Sequence, residues 1–252
     1  MRILEFGRET GRKLLLIHGF QIPWQVWTPY IRRYQEDFHV LVPILPGHDP
    51  AGKEAFHSFP ETARELEDHF LSRWGDQPCS VFAMSMGGVL AATLWENGRV
   101  RLDKLILDGA PLVSFPRLMT NYSLRFYLDV THKTRRRDKK TVRQAERLVP
   151  REYVPDFLSV LDNMSDETII NCVNGVGDYK LPGNIPGPVP QIYYFHGTTI
   201  SELFSKRTAK YLIKHYPGTV VKSFAGADHC QVSLHRPDQM LQALTEILRP
   251  GD

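Results

Sequence analysis

The stretch VFAMSMGGVL, residues 81–90, decides how the chain is read. Its left half is an apolar, strand-like run and its right half opens a helical pattern, with the hydroxyl of Ser85 at the bend between them. Two explanations compete. Ser85 caps the helix, as serine commonly does at that position, or it is held on a strained strand-to-helix turn as a nucleophile, which requires small residues two places to either side. Ala83 and Gly87 meet that requirement, and Gly88 lets the helix pack close to the strand. A helix starting at Met86 would also present backbone N–H groups and a positive partial charge to an oxyanion formed at Ser85.

Outward from this stretch, apolar strands alternate with helices. RILEF (2–6), KLLLIHG (13–19), FHVLVPILPG (38–47), CSVFAMS (79–85), LDKLILDGAP (102–111), PQIYYFHG (190–197) and TVVKSFAG (219–226) read as strands. Helices are predicted at PWQVWTPYIRRYQ (23–35), SFPETARELEDHFLSRW (58–74), MGGVLAATLWEN (86–97), SKRTAKYLIKHYP (205–217) and RPDQMLQALTEILRP (236–250). The second starts at Ser58 or Pro60 and carries an apolar stripe of Leu66, Phe70 and Trp74. This rhythm predicts an α/β fold, a mostly parallel central sheet with helices on both faces. It breaks between about 112 and 187, where helical patterns such as NYSLRFYLDV (121–130) and KKTVRQAERLV (139–149) replace strands. Because the sheet resumes afterwards, the economical division is a core of 1–111 and 188–252 with a helical cap insertion at 112–187.

The 252 residues are 42% hydrophobic and 23% charged, ordinary for a globular chain and far from the composition of disorder. A net charge of +3 makes no case for nucleic acid. Cys79, Cys172 and Cys230 are odd in number, scattered and without a CxxC pair, so neither a disulfide framework nor a metal site is indicated. No signal-peptide run and no stretch of about 18 apolar residues is present, which predicts a cytoplasmic protein with no membrane partner.

Ligands in open parallel sheets sit beyond the C-terminal strand ends, and five such ends carry distinctive residues. After AMSMG (83–87) comes HGF (18–20), which puts the backbone N–H of Phe20 at the rim as a second oxyanion donor beside that of Met86. ILPGHD (44–49) reads as a structural turn, and His48 is assigned no chemistry. In AGADHCQVSLHRP (225–237), His229 follows a strand in a small-residue loop and is the candidate base. His235, taken as the start of the closing helix, is the weaker candidate, and Cys230 is read as loop packing. In FHGTTISELF (195–204) an acid is expected about three residues after Gly197, where Ile200 stands; Glu202 is the first carboxylate of that loop. Asp108, ending the strand LDKLILD, is the alternative acid.

The strand and helix order together with HGF, LPGHD, AMSMGG and GADHCQVSLHRP resembles the α/β-hydrolase superfamily. Ser85, Glu202 and His229 follow the family order of nucleophile, acid and histidine. Ala83 replaces the first glycine of the usual G-x-S-x-G elbow, and the acid loop departs further, lacking the usual Asp and running about two residues longer. The resemblance implies a serine hydrolase with a catalytic triad and oxyanion hole, needing no cofactor. It would cleave carboxylic esters of small or medium acyl substrates through an acyl-enzyme. A thioesterase or acyltransferase with the same triad is the alternative, as is a catalytically inactive ligand-binding relative. The insertion is expected to form a lid over Ser85, its aromatics (Phe115, Tyr122, Phe126, Tyr127, Tyr153 and Phe157) lining an acyl pocket or forming the lid's own core. The basic run HKTRRRDKK (132–140) is either a solvated helix face or a recognition site for an anionic substrate group such as that of a thioester carrier.

Overall fold

The apolar runs become seven strands of a single sheet: β1 (Arg2–Phe6), β2 (Arg12–Ile17), β3 (Phe38–Ile44), β4 (Cys79–Met84), β5 (Leu102–Asp108), β6 (Gln191–Gly197) and β7 (Val220–Phe224). The computed structural model describes residues 1–249. The strand order is β1-β3-β2-β4-β5-β6-β7. β1 runs antiparallel to β3, and every other pair is parallel. Parallel neighbours need crossovers, supplied here by α1 (Thr28–Tyr34), α2 (Phe59–Trp74), α3 (Met86–Asn97) and α8 (Leu203–His215), and between β5 and β6 by a longer helical segment.

Side chains alternate across a strand, and this sorts the core into two layers. Leu15 and Ile17 of β2, with Val81 and Ala83 of β4, face α2, α3 and α8. Leu14, Leu16, Phe82 and Met84 face the opposite way, against α1 and α10 (Pro237–Ile247). Both faces are covered, which is why these strands read as unbroken apolar runs rather than alternating ones.

Four helices fill the interval between β5 and β6: α4 (Arg117–Arg135), α5 (Lys139–Leu148), α6 (Val154–Asn163) and α7 (Asp166–Asp178). They bury small clusters of their own, one around Phe157 and Leu161 and one around Val160 and Ile169. The basic run at the end of α4 ties these helices together. Arg137 pairs with Asp162, His132 with Asp166, and Arg135 donates to the carbonyls of Leu161 and Met164.

Proline chemistry revises two local expectations, and capping decides a third in favour of Ser58. The helix expected over 23–35 is a 3-10 turn at Trp24–Trp27 followed by α1, because Pro29 has no N–H to continue a ladder and suits only a first turn. α2 begins at Phe59, capped by the Ser58 hydroxyl, which accepts from the Glu61 amide. His235 ends a separate short helix, α9 (Gln231–His235), rather than opening the closing helix, since Pro237 starts α10. The predicted closing helix extends to Pro250, and the core division to 252; their last residues lie outside the described ones. Among the described residues no helix is long and apolar enough to cross a membrane.

Candidate active site

β4 ends at Met84 and α3 begins at Met86, so a single residue must make the turn. Ser85 does so at φ 48°, ψ −118°, and its side chain makes no capping hydrogen bond to α3. The turn is held from behind by the Ser85 amide, which donates to the Asp108 carbonyl at 2.8 Å. Gly87 is obligatory there: a Cβ on it would lie 2.5 Å from the His18 carbonyl oxygen and 2.7 Å from that of Ile17. Backbone strain gathers around this point. Among the described residues four non-glycine residues have positive φ, and three of them, Gln21, Ser85 and Cys230, adjoin or occupy the site.

The loop after β7 brings His229 over the elbow. Its Nε2 lies 2.8 Å from Ser85 Oγ, and its Nδ1 lies 3.1 Å from Glu202 Oε1. Glu202 reaches that place through a 3-10 turn, Ile200–Glu202, that leads directly into α8. The same turn supports the histidine loop, since Ser201 Oγ accepts from the His229 amide at 3.3 Å and donates to Asp228 Oδ1 at 3.2 Å. Glu202 is wholly buried, while the His229 side chain keeps 40% of its surface open.

Burial works to lower the His229 pKa, but the hydrogen bond and charge of Glu202, with the charge of Asp108, outweigh it and hold the imidazole above the ordinary histidine value. For Glu202 burial pushes upward, yet the bond and charge of His229, helped by Ser205 and His196, leave the carboxylate below its usual range. Asp108 is placed differently. Its carboxylate accepts from the Ser233 hydroxyl, and burial pushes its pKa up to about 6. No hydrogen bond joins it to His229 among the described residues.

Phe20 follows β2, in a loop braced by two buried histidines. His48 Nε2 accepts from the Gln21 amide at 3.0 Å, and His18 Nε2 accepts from the Leu45 amide at 3.2 Å. Burial lowers their pKa values, to about 4 for His18 and about 3 for His48, so both stay neutral and able to accept. The Phe20 amide has no acceptor among the described residues. The Met86 amide, at the first position of α3, has no intrahelical partner either.

Two cavities meet at Ser85 and His229. One, of about 510 Å³, runs between α4, α7 and the start of α8 past Met86, Phe115, Met119, Tyr127, Val176 and Phe204, and is chiefly apolar. The other, of about 520 Å³, lies on the side of α5 and α9 and reaches Arg147, Phe157, Asp228, Gln231 and His235. The aromatics of the 112–187 segment divide accordingly. Phe115 lines the first cavity, Phe157 the second and Tyr127 both, Tyr153 packs against the cluster around Phe157, and Tyr122 and Phe126 are exposed. His235 lines the second cavity without touching Ser85.

Sequence reasoning overlooks Gly109. It has φ +65°, and a Cβ there would lie 2.7 Å from His229 Cε1 and 2.9 Å from Nδ1. The only signal is the Asp-Gly pair at the end of β5. The bracing by His18 and His48 is also missed, because each acts across 27 residues of chain.

The model of the Alpha/beta hydrolase family matches residues 14–243, and the chain belongs to that family. No curated protein matches it. Among solved structures it is similar to an alpha/beta hydrolase family protein from Desulfitobacterium hafniense, with 19% identity over 98% of this chain and 100% of that one and a TM-score of 0.80. It is similar also to a thermophilic esterase from Thermogutta terrifontis, solved with malate bound: 17% identity, 98% and 92% coverage, TM-score 0.75. A carboxylesterase structure from the ammonia-oxidizing Nitrososphaera gargenis matches at 18% identity, 98% and 93% coverage, TM-score 0.74. At these identities the likeness is one of fold.

Proposed function

We propose that this member of the alpha/beta hydrolase family is a serine hydrolase cleaving carboxylic esters of small or medium acyl substrates. The observation that carries the reading is the unbroken chain of contacts from Ser85 Oγ through both ring nitrogens of His229 to the buried Glu202. In this scheme His229 Nε2 takes the Ser85 proton as Oγ attacks the ester carbonyl. The amides of Phe20 and Met86 hold the resulting oxyanion, a contribution of about 3 kcal/mol per donor. His229 then gives the proton to the departing alkoxide, leaving Ser85 acylated. Water, deprotonated by the same imidazole, releases the acid and regenerates the serine. Glu202 keeps the Nδ1 proton in place and offsets the charge of the imidazolium.

The 112–187 helices act as a lid, since α4 and α7 wall the apolar cavity beside Ser85 and leave an acyl chain a dry place to lie. The irregular acid loop is the main reason to consider an inert binding protein. A loop that carries Glu202 to the imidazole favours the enzyme. Labelling with a fluorophosphonate probe tests this: wild type reacts, and Ser85→Ala and His229→Ala do not. A folded wild type that stays unlabelled overturns the proposal.

A further inference from the structure

Among the described residues two adjoining cavities open at Ser85, and their linings differ in charge. The apolar cavity is lined by no Lys, Arg, Asp or Glu among the described residues. The second carries a guanidinium at its mouth. Arg147, exposed in the last turn of α5, has no hydrogen bond or ion pair among the described residues. It is the end of a stripe: Lys139, Arg143 and Arg147 stand four residues apart on one face of α5, all exposed and all unpaired among the described residues. The basic run ending α4 is different, because Lys133, Arg135 and Arg137 are taken up by Asp129, Asp166 and Asp162.

One more donor lining the second cavity lacks an acceptor among the described residues. The Gln231 amide oxygen is occupied by the Asp228 amide and Arg236, which leaves its NH2 free. One carboxylate, Asp228, also lines this cavity; its Oδ1 accepts from the Thr199 and Ser201 hydroxyls, and its single negative charge is set against the three cations of the α5 stripe. A cavity with a free guanidinium and a free amide NH2, approached along a stripe of three unpaired cations, favours an anion and draws it in along α5.

We infer that the substrate is an ester with one apolar half and one half bearing a carboxylate or phosphate, the anion being taken by Arg147 in the second cavity. This rests on the serine-hydrolase reading and extends it to a substrate class.

The test is a ratio of kcat/KM for matched anionic and neutral esters. On the acyl side the pair is the 4-nitrophenyl monoester of adipic acid against 4-nitrophenyl hexanoate. On the alcohol side, butyrate esters of 4-hydroxybenzoate and of 4-hydroxyphenyl phosphate are set against that of 4-hydroxybenzamide. The anionic member of at least one pair is expected to be favoured roughly tenfold, the scale of one charge-assisted hydrogen bond. The favoured pair tells which half carries the anion and whether it is carboxylate or phosphate. The ratio should collapse towards one in Arg147→Gln, invert in Arg147→Glu, and shrink at high ionic strength. Ratios near one for every pair in wild type, or a preference that survives Arg147→Gln, overturn the inference while Ser85-dependent turnover of the neutral esters leaves the hydrolase standing. Hydrolysis that persists in Ser85→Ala removes the underlying reading itself.

Discussion

Gly109→Ala is the sharpest probe of the site because the added methyl group presses on the His229 ring at Cε1 and Nδ1, the edge that faces Glu202 and Ser85. The new methyl group would lie 2.7 Å from His229 Cε1, 2.9 Å from Nδ1 and 3.1 Å from Cys230 Sγ. To restore an ordinary contact of 3.4 Å the ring must retreat by about 0.7 Å. The ring is fixed at 2.8 Å from Ser85 and 3.1 Å from Glu202, so a shift of that size degrades one or both contacts. Misplacement of about 1 Å costs on the order of a hundredfold in rate, and kcat/KM for 4-nitrophenyl butyrate should fall by roughly 30- to 100-fold. A left-handed alanine also costs about 1–2 kcal/mol of stability, a loss of a few degrees in Tm for a chain of this size. Gly98→Ala separates the two effects. It has nearly the same φ, +62°, with no atom within 4 Å of the added Cβ, and it lies at the far end of α3. That variant should lose comparable stability and keep its turnover. A Gly109→Ala enzyme working within threefold of wild type would refute the account of how His229 is held.

Glu202→Gln should reduce kcat by about three to four orders of magnitude, as expected when the group orienting the imidazole loses its charge, whereas Asp108→Asn should cost less than tenfold. The opposite ranking in steady-state assays would move the acid's role to Asp108. The base works only when neutral, so wild-type kcat/KM should be lost as pH falls through a value above 6.5, because Glu202 holds the His229 pKa up. In Glu202→Gln the lowering effect of burial is opposed only by the charge of Asp108, and the inflection should move to lower pH; an unmoved inflection contradicts this. Asp108 makes a stability prediction of its own. Its folded pKa of about 6 lies above the ordinary value, so the folded state binds more protons and stability falls as pH rises from about 4 to 6. The shift is worth about 3 kcal/mol. Asp108→Asn should recover it, gaining stability relative to wild type across that window in urea titrations, and parallel curves would contradict the assignment.

What could be read along the chain is what depends on a few consecutive residues. The sheet strands announce themselves because both faces are buried, and the Ser85 turn because close packing against Ile17 and His18 demands a glycine two residues later. The same logic errs where a proline interrupts a periodic pattern. Trp24, Trp27, Ile31 and Tyr34 keep helical spacing, yet the run is split between Trp27 and Thr28, just ahead of Pro29, and Pro237 separates α9 from α10. The four helices between β5 and β6 are only half legible. α6 and α7 satisfy small local clusters that lack a long stripe.

Sequence alone determined the alternating layers, the kinked serine and the order of candidate groups along the chain, since each is written in neighbouring side chains and their backbone preferences. It ranked Glu202 above Asp108 by chain position but held no geometry for either. The tertiary structure decided that question of place: with β4, β5, β6 and β7 adjacent, the ends of all four strands converge, and the turn at 200–202 rather than the tip of β5 meets Nδ1. It also set Gly109 against the imidazole and opened two cavities at one hydroxyl. The contacts of His229 with Ser85 and Gly109 join residues more than a hundred positions apart, and strand order, which no local spacing encodes, is what brings them together.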